Sequence, residues 1–162
     1  MDTLLHNIPP IFNKKSKVLI LGSFPSVKSR NDKFFYAHPT NRFWRVLAKV
    51  CGCSIPVTVA DKKELIYSNH LALWDVLKSC STQGSSDAKI KHALPNDLNI
   101  VLNSCRVNMI FLNGSTAGRY YTKYFNNSIN LPAIILPSTS AANASYSLEN
   151  LVEKWSVIKE YI

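Results

Sequence analysis

Apolar residues in this chain fall into short unbroken runs that alternate with stretches of helical spacing. The runs over residues 17–23, 71–76, 107–112 and 133–136 predict strands buried on both faces, since a half-buried strand would alternate apolar and polar residues. Apolar residues three and four apart predict helices over residues 40–51, 61–68, 96–104, 116–125 and 147–161. Strands that alternate with helices indicate an α/β fold, a three-layer α/β/α sandwich around a short, mainly parallel four-stranded sheet.

The predicted connections differ in length. Residues 1–16 predict an irregular lead-in without chemistry, and residues 81–95 predict a polar loop with one helical turn at most. Residues 24–39 predict a loop too long for a simple connection, which favours a functional role. Thr40 is the predicted N-cap of the next helix, which Gly52 ends. Asn41 and Arg42 would then lie in the first helical turn, where free backbone N–H groups favour anions.

Polar motifs follow each predicted strand. They are Gly22-Ser23, Asp75, Asn113-Gly114 and Ser138-Thr139-Ser140. Ligands of parallel α/β sheets bind outside the carboxyl ends of the strands. We therefore expect these scattered motifs to converge on one site, with Asp75 as a structural residue.

Composition is typical of one globular domain. A chain of 162 residues with 46% hydrophobic residues buries roughly two-thirds of its unfolded surface. Its apolar runs are far shorter than the ~20 residues that span a bilayer, and its N-terminus lacks a signal-peptide pattern. The expectation is a single domain over residues 1–162 that is cytoplasmic and monomeric, with no membrane partner.

Charge is concentrated near the first strand and loop. Nineteen Lys and Arg against ten Asp and Glu give a net charge of +9. Residues 1–50 hold nine basic and two acidic residues, a net +7, whereas residues 51–162 hold ten and eight, a net +2. This asymmetry favours a polyanionic partner, with a solvated basic surface as the alternative.

The cysteines are few and widely spaced. Cys51 and Cys53 form a Cys-x-Cys pair, and Cys80 and Cys105 are isolated. Free thiols in a reducing compartment are the favoured interpretation, and a four-thiolate metal site is the alternative. We predict neither a metal nor a cofactor.

Familiar catalytic signatures are absent, including the phosphate-binding loop, Gly-x-Gly-x-x-Gly, His-Glu-x-x-His and Gly-x-Ser-x-Gly. The predicted site instead holds neutral Ser, Asn and Thr together with His38 and Arg42. Such groups bind the edge of a heterocycle and stabilise a departing anion, but they are poor general bases. Hydrolytic loss of a nucleobase fits this inventory, because the protein mainly supplies oriented dipoles.

Five motifs resemble the uracil-DNA glycosylase superfamily, and within it the hypoxanthine-DNA (deoxyinosine) glycosylase branch. They are Gly22-Ser-Phe-Pro-Ser26, His38-Pro-Thr-Asn-Arg-Phe-Trp44, Leu73-Trp-Asp-Val76, Phe111-Leu-Asn-Gly-Ser-Thr-Ala117 and Leu136-Pro-Ser-Thr-Ser140 with Ala142-Asn-Ala144. The resemblance runs from residue 17 to about 147.

The resemblance implies roles for residues of the base pocket. Phe24 stands where related branches carry an Asp or Asn that orients water, so Asn41 is the implied catalytic residue and would hold water through its amide oxygen. Tyr36 would stack on the flipped base, Asn113 would read the base edge, and Ser23 and Phe24 would complete the base-binding set. The alternatives are loop packing for Tyr36, a turn residue for Asn113 and a strand end for Ser23.

The resemblance also implies DNA contacts. The implied residues are Ser26, Arg42, Ser138, Thr139, Ser140, Asn143 and Tyr146, with Tyr146 as a candidate wedge between bases or else a surface tyrosine. Ala141 replaces a proline usual in the branch, which implies a freer loop. His38 is expected to brace its loop rather than to catalyse.

The expected function is that of a monofunctional glycosylase acting in DNA repair. It would flip hypoxanthine, or else uracil or xanthine, out of DNA and hydrolyse its N-glycosidic bond, leaving an abasic site. A mismatch-type uracil-DNA glycosylase and a non-catalytic module that binds DNA lesions are the alternatives. Phe24 counts against the first of these.

Overall fold

The computed structural model describes residues 2–81 and 90–162. The strands are β1 Leu4–Leu5, β2 Val18–Gly22, β3 Leu71–Asp75, β4 Leu77–Ser81, β5 Lys91–Pro95, β6 Met109–Asn113 and β7 Ala133–Leu136. The helices are α1 Val27–Asp32, α2 Phe43–Cys51, α3 Val59–Ser68, α4 Asn99–Leu102, α5 Ser115–Phe125 and α6 Leu148–Trp155, and α6 continues into a 3₁₀-helix over Ser156–Glu160.

The main sheet has the predicted four strands in the order β3-β2-β6-β7, all parallel. Every residue of β2 and β3 is buried, which is why both read as unbroken apolar runs. Helices flank the sheet: α3 contacts β3, and α5 contacts β6 and β7. Gly22 is paired with Asp75 across β2 and β3, so the polar ends of these strands are level.

The long connection after β2 contains a short helix, α1, that the sequence pattern does not predict. Ser26 caps α1, and its Oγ accepts a hydrogen bond from the backbone N–H of Ser29 (3.2 Å). With only six residues, α1 is too short to show a helical period. The prediction of an uninterrupted loop over residues 24–39 is therefore wrong.

The helix after this connection begins later than predicted. Arg42, not Thr40, occupies the N-cap of α2, and Gly52 ends the helix as predicted with a φ of 68°. The Thr40 hydroxyl instead bonds His38 Nδ1 (2.7 Å), and His38 thereby braces the loop as expected. Asn41 and Arg42 thus precede the helix, and the predicted anion-binding first turn is not formed by them.

A second, antiparallel sheet was not predicted. It has the order β1-β4-β5 and joins the lead-in to residues 91–95, which the sequence analysis assigned to a loop. Its strands are short or polar, so they carry no apolar run, and tertiary pairing decides them. Residues 82–89 of that predicted loop lie outside the described residues.

Other boundaries shift by a few residues. The helix predicted over 96–104 is reduced to α4, while Asn96 is buried and its Nδ2 donates to the Asp75 and Leu77 carbonyls (2.9 and 3.1 Å). Gly114, rather than Ser115 or Thr116, precedes α5 as its cap. No helix within residues 2–81 and 90–162 has the length and apolar character to cross a membrane.

Candidate active site

A cleft of about 330 Å³ opens at the carboxyl ends of β2, β3 and β6 and the loop after β7. Residues from all four predicted polar motifs line this cleft, as expected for the carboxyl ends of a parallel sheet. The lining includes Ser23, Phe24, Ser26, Tyr36, Asn41, Asn113, Ser138, Thr139 and Ser140 from the predicted site. Arg42, Asn143 and Tyr146 lie outside the lining.

Three side chains form one hydrogen-bonded unit at the cleft wall. Asn113 Nδ2 donates to Thr139 Oγ1 (3.0 Å), and the Thr139 N–H donates to Asn113 Oδ1 (3.0 Å). Thr139 Oγ1 in turn donates to Asn41 Oδ1 (2.9 Å). Thr139 is fully buried, so its hydroxyl orients both amides instead of facing DNA as predicted.

The unit fixes which amide atoms face the cleft. Asn41 Oδ1 also accepts the backbone N–H of Phe43 (2.9 Å), a group that can only donate. Both lone pairs of the Asn41 oxygen are therefore used. The Nδ2 group of Asn41 is the polar atom left for a ligand, in contrast to the predicted use of its oxygen.

Arg42 holds the loop over residues 138–146 in place. Its Nε donates to the Thr139 carbonyl (3.4 Å), and its Nη2 donates to the carbonyls of Ser140 (2.8 Å) and Asn143 (3.1 Å). Its Nη1 donates to the Tyr146 carbonyl. The guanidinium predicted to contact DNA thus faces the loop backbone in this structure. The Asn143 side chain is internal too, since its Nδ2 donates to the Ser138 carbonyl (3.1 Å).

Replacing Arg42 with lysine is expected to loosen this loop, because one ammonium cannot reproduce a planar fork of donors. We expect the free energy of unfolding to fall by about 2 kcal/mol, in the range for the loss of hydrogen bonds to a charged group. Hydrogen-exchange mass spectrometry should show faster exchange in residues 138–146 and unchanged protection in β2. Arg45→Lys is the matched control, since Arg45 lies on the same helix outside the cleft. Unaltered loop exchange in Arg42→Lys would contradict this role.

An aromatic stack forms another wall. Tyr36 lies against Phe43 with ring centroids 4.1 Å apart and an interplanar angle of 21°. Phe43 is fully buried and packs edge-on against Trp155, so the stack is anchored in the core. Tyr36 also has a left-handed backbone (φ 51°), which is uncommon for a non-glycine residue. Its position in the cleft is therefore tightly determined.

The floor of the cleft carries a buried histidine–carboxylate pair. His6 Nε2 lies 2.7 Å from Asp75 Oδ2, and the two side chains are 2% and 5% exposed. The sequence predicts no chemistry for residues 1–16 and a structural role for Asp75. No local pattern marks His6, because the pairing of β1 with β4 brings it to the site.

Comparison with known proteins identifies the chain. A profile described as "Uracil DNA glycosylase superfamily" matches residues 9–160. The chain belongs to this superfamily. It is thus a DNA glycosylase, a hydrolase of N-glycosidic bonds.

Curated relatives and a solved structure agree with the assignment of this glycosylase to the superfamily. Two proteins named hypoxanthine DNA glycosylase are similar to it: one from Methanosarcina acetivorans (31% identity, covering 93% of this chain and 94% of that one), and one from Methanosarcina barkeri (30% identity, 91% and 93%). The solution NMR structure of a Methanosarcina acetivorans protein, provisionally described as a uracil DNA glycosylase, matches with a TM-score of 0.80 at 30% identity. It covers 93% of each chain.

Phe24 of the glycosylase is held by aromatic and cationic neighbours. Its ring meets His6 edge-on at 6.0 Å, and the Arg30 guanidinium lies 5.5 Å above it. Arg30 in turn donates to the Pro25 carbonyl (2.8 Å). An aromatic ring cannot orient water as an Asp or Asn does, so this wall of the cleft supplies shape and not a proton acceptor.

The cysteines lie outside the cleft. None of the four forms a disulfide bond, and no group of three or more His, Cys, Asp or Glu side chains suited to a metal occurs in residues 2–81 and 90–162. Burial, with a smaller contribution from Cys53, raises the pKa of Cys51 to about 11. The Cys51 thiol is therefore protonated at neutral pH.

Proposed function

We propose that this glycosylase excises hypoxanthine from DNA, with uracil and xanthine as further substrates, and leaves an abasic site. The observation that carries the proposal is the cleft in which Asn41 and Asn113 share one buried hydroxyl, that of Thr139. The names of the two curated relatives support hypoxanthine as the first substrate. The DNA would bind to a protein monomer.

In this proposal the flipped base stacks on the face of Tyr36 that Phe43 leaves uncovered. Asn113 has one donor hydrogen and one acceptor lone pair beyond its bonds to Thr139, and these contact the base edge. As the bond to the sugar breaks, negative charge develops on the base and positive charge on the sugar. Oriented amide dipoles stabilise such charges without transferring a proton.

Water completes the reaction. Asn41 Nδ2 donates a hydrogen bond to the oxygen of the attacking water and so fixes its position beside the sugar. The water oxygen bonds the sugar carbon from which the base departs, and the departing base anion takes up the proton that the water loses. Among the described residues no lysine lines the cleft, which supports hydrolysis without a covalent sugar adduct. The enzyme is therefore monofunctional in this proposal, and the DNA strand remains intact until alkali is added.

The basic charge of the chain favours DNA as the partner. The helix α1 begins at the cleft and carries exposed Lys28, although Asp32 pairs with it (3.0 Å). Lys33, at the end of α1, is exposed as well. Phosphate contacts of this kind make binding steeply salt-dependent. Ser26, Ser138, Ser140 and the loop to Tyr146 remain the proposed DNA-contact region.

The test uses end-labelled duplexes that contain one deoxyinosine, deoxyuridine or deoxyxanthosine, and an undamaged control. After incubation and alkali, we expect cleavage at deoxyinosine first and no cleavage of the control. Without alkali the strands should stay intact. Excision of uracil from a G·U mispair alone would favour the mismatch-type alternative. Tight binding of the inosine duplex with no cleavage at any base would favour the lesion-binding alternative.

A further inference from the structure

We propose, building on the proposed function, that His38 binds a backbone phosphate beside the flipped nucleotide and so positions the DNA strand at the mouth of the cleft. The Nε2–H group of His38 donates a hydrogen bond to a non-bridging oxygen of that phosphate. This role adds to the brace that His38 forms with Thr40, and it lies outside the base pocket.

His38 stands where a phosphate would be. It lines the cleft but is exposed, whereas Asn41 is half-buried and Thr139 is fully buried. His38 therefore lies at the mouth of the cleft and the two others lie deeper. A flipped base fills the interior, while the ionised phosphates on either side of its sugar stay at the mouth, because removing their charge from water is costly. A donor at the mouth thus meets phosphate oxygens.

Thr40 decides which nitrogen of His38 is the donor. The backbone N–H of Thr40 donates to His38 Nδ1 (3.2 Å), and an N–H group can only donate. The Thr40 hydroxyl lies against the same nitrogen (2.7 Å). Nδ1 therefore carries no hydrogen, and the imidazole holds its hydrogen on Nε2. A phosphate oxygen only accepts, so it matches this tautomer.

The opposite side of the mouth has the same polarity. Ser138 Oγ and Ser140 Oγ each accept the backbone N–H two residues later (3.2 Å), which leaves their hydroxyl hydrogens to donate. The backbone N–H of Arg42 donates to the Thr139 carbonyl (3.0 Å) and joins this loop to the segment that carries His38. The mouth thus presents donors from two connected sides, as the binding of a phosphate backbone requires.

The variant His38→Asn separates the phosphate contact from the brace. The Asn oxygen occupies the place of Nδ1 and still accepts from Thr40, but no atom of the shorter side chain reaches the place of Nε2. We expect the Kd for a duplex with a tetrahydrofuran abasic-site analogue to rise about 10-fold, the effect of one hydrogen bond to a charged group. His92→Asn is the matched control, since His92 is exposed and outside the cleft.

Single methylphosphonate linkages identify the phosphate. Each of the five linkages around the lesion is replaced in turn, which removes a charged oxygen. In the wild-type protein one linkage should weaken binding by about 10-fold through loss of the His38 contact. In His38→Asn that same linkage should cost about 10-fold less than it does in the wild type, and the other four should be unaffected by the variant. Equal penalties at every linkage in the two proteins would overturn the inference.

A second measurement needs no variant. Two-bond ¹H–¹⁵N spectra of the free wild-type protein should show His38 with its hydrogen on Nε2, and a hydrogen on Nδ1 instead would overturn the inference. The phosphate contact does not involve the base, so both measurements use DNA without hypoxanthine. Failure of the proposed function would show separately, as an absence of excision from deoxyinosine duplexes by the wild-type protein.

Discussion

Replacing Asn41 with alanine is expected to slow single-turnover excision of hypoxanthine by about 100- to 1,000-fold, the usual effect of removing one preorganised donor from an active site. Duplex affinity should change little, because the Asn41 side chain lies at the cleft wall and its oxygen accepts hydrogen bonds from Thr139 and Phe43 within the protein. The measurement is a rapid-quench time course with enzyme in excess over the deoxyinosine duplex. Asn150→Ala, on the exposed start of α6, is the control.

The companion variant Asn41→Asp decides which amide atom acts. It keeps an oxygen for the Phe43 N–H and the Thr139 hydroxyl but replaces the cleft-facing NH₂ with an acceptor. If the NH₂ holds the water, Asn41→Asp should be about as slow as Asn41→Ala. Wild-type or faster excision by Asn41→Asp would instead assign the water to an acceptor at this position.

Removing the hydroxyl of Thr139 is expected to have the second-largest effect. Thr139→Val is isosteric and fully buried, yet it leaves Asn113 Nδ2 without its acceptor and Asn41 Oδ1 without one donor. We expect about 100-fold slower excision, because both amides lose their orientation. An unsatisfied buried group also costs about 1–3 kcal/mol of the free energy of unfolding.

Thr139→Ser separates positioning from packing. It restores the hydroxyl but not the methyl group, so it should recover most of the excision rate while remaining less stable than the wild type. Rates come from the same single-turnover assay, and stabilities from urea unfolding. Thr122→Val, on the exposed face of α5, controls for loss of a threonine hydroxyl. If serine is as slow as valine at position 139, the hydroxyl is not what orients the amides.

Most of the fold was predicted from unbroken apolar runs in the sequence. β2 and β3 are buried on both faces, so their burial is visible in local sequence without any knowledge of their partners. β4 and β5 were missed because their sequences, Leu-Lys-Ser-Cys-Ser and Lys-His-Ala-Leu-Pro, show no such run. Pairing with a neighbouring strand, which is a non-local interaction, decides their structure.

The sequence predicted which residues form the site but not how their side chains bond to one another. The positions of Asn41, Asn113 and Thr139 follow from strand ends and motifs, so their meeting at one edge of the sheet was foreseeable. Their hydrogen bonds were not, because a side-chain amide presents a donor and an acceptor, and only its neighbours decide which one faces the ligand. The sequence suggested the Asn41 oxygen, whereas the folded chain leaves the nitrogen.

By itself, the sequence determined the parallel α/β sheet, the edge at which its polar residues gather, and the superfamily to which the motifs belong. These features depend on local periodicity and on residue order. The tertiary structure alone decided that Arg42 braces a loop, that Thr139 is an internal hydroxyl, and that His6 reaches Asp75. Each of these depends on a contact between residues 69 to 104 positions apart, and no local pattern encodes such a contact.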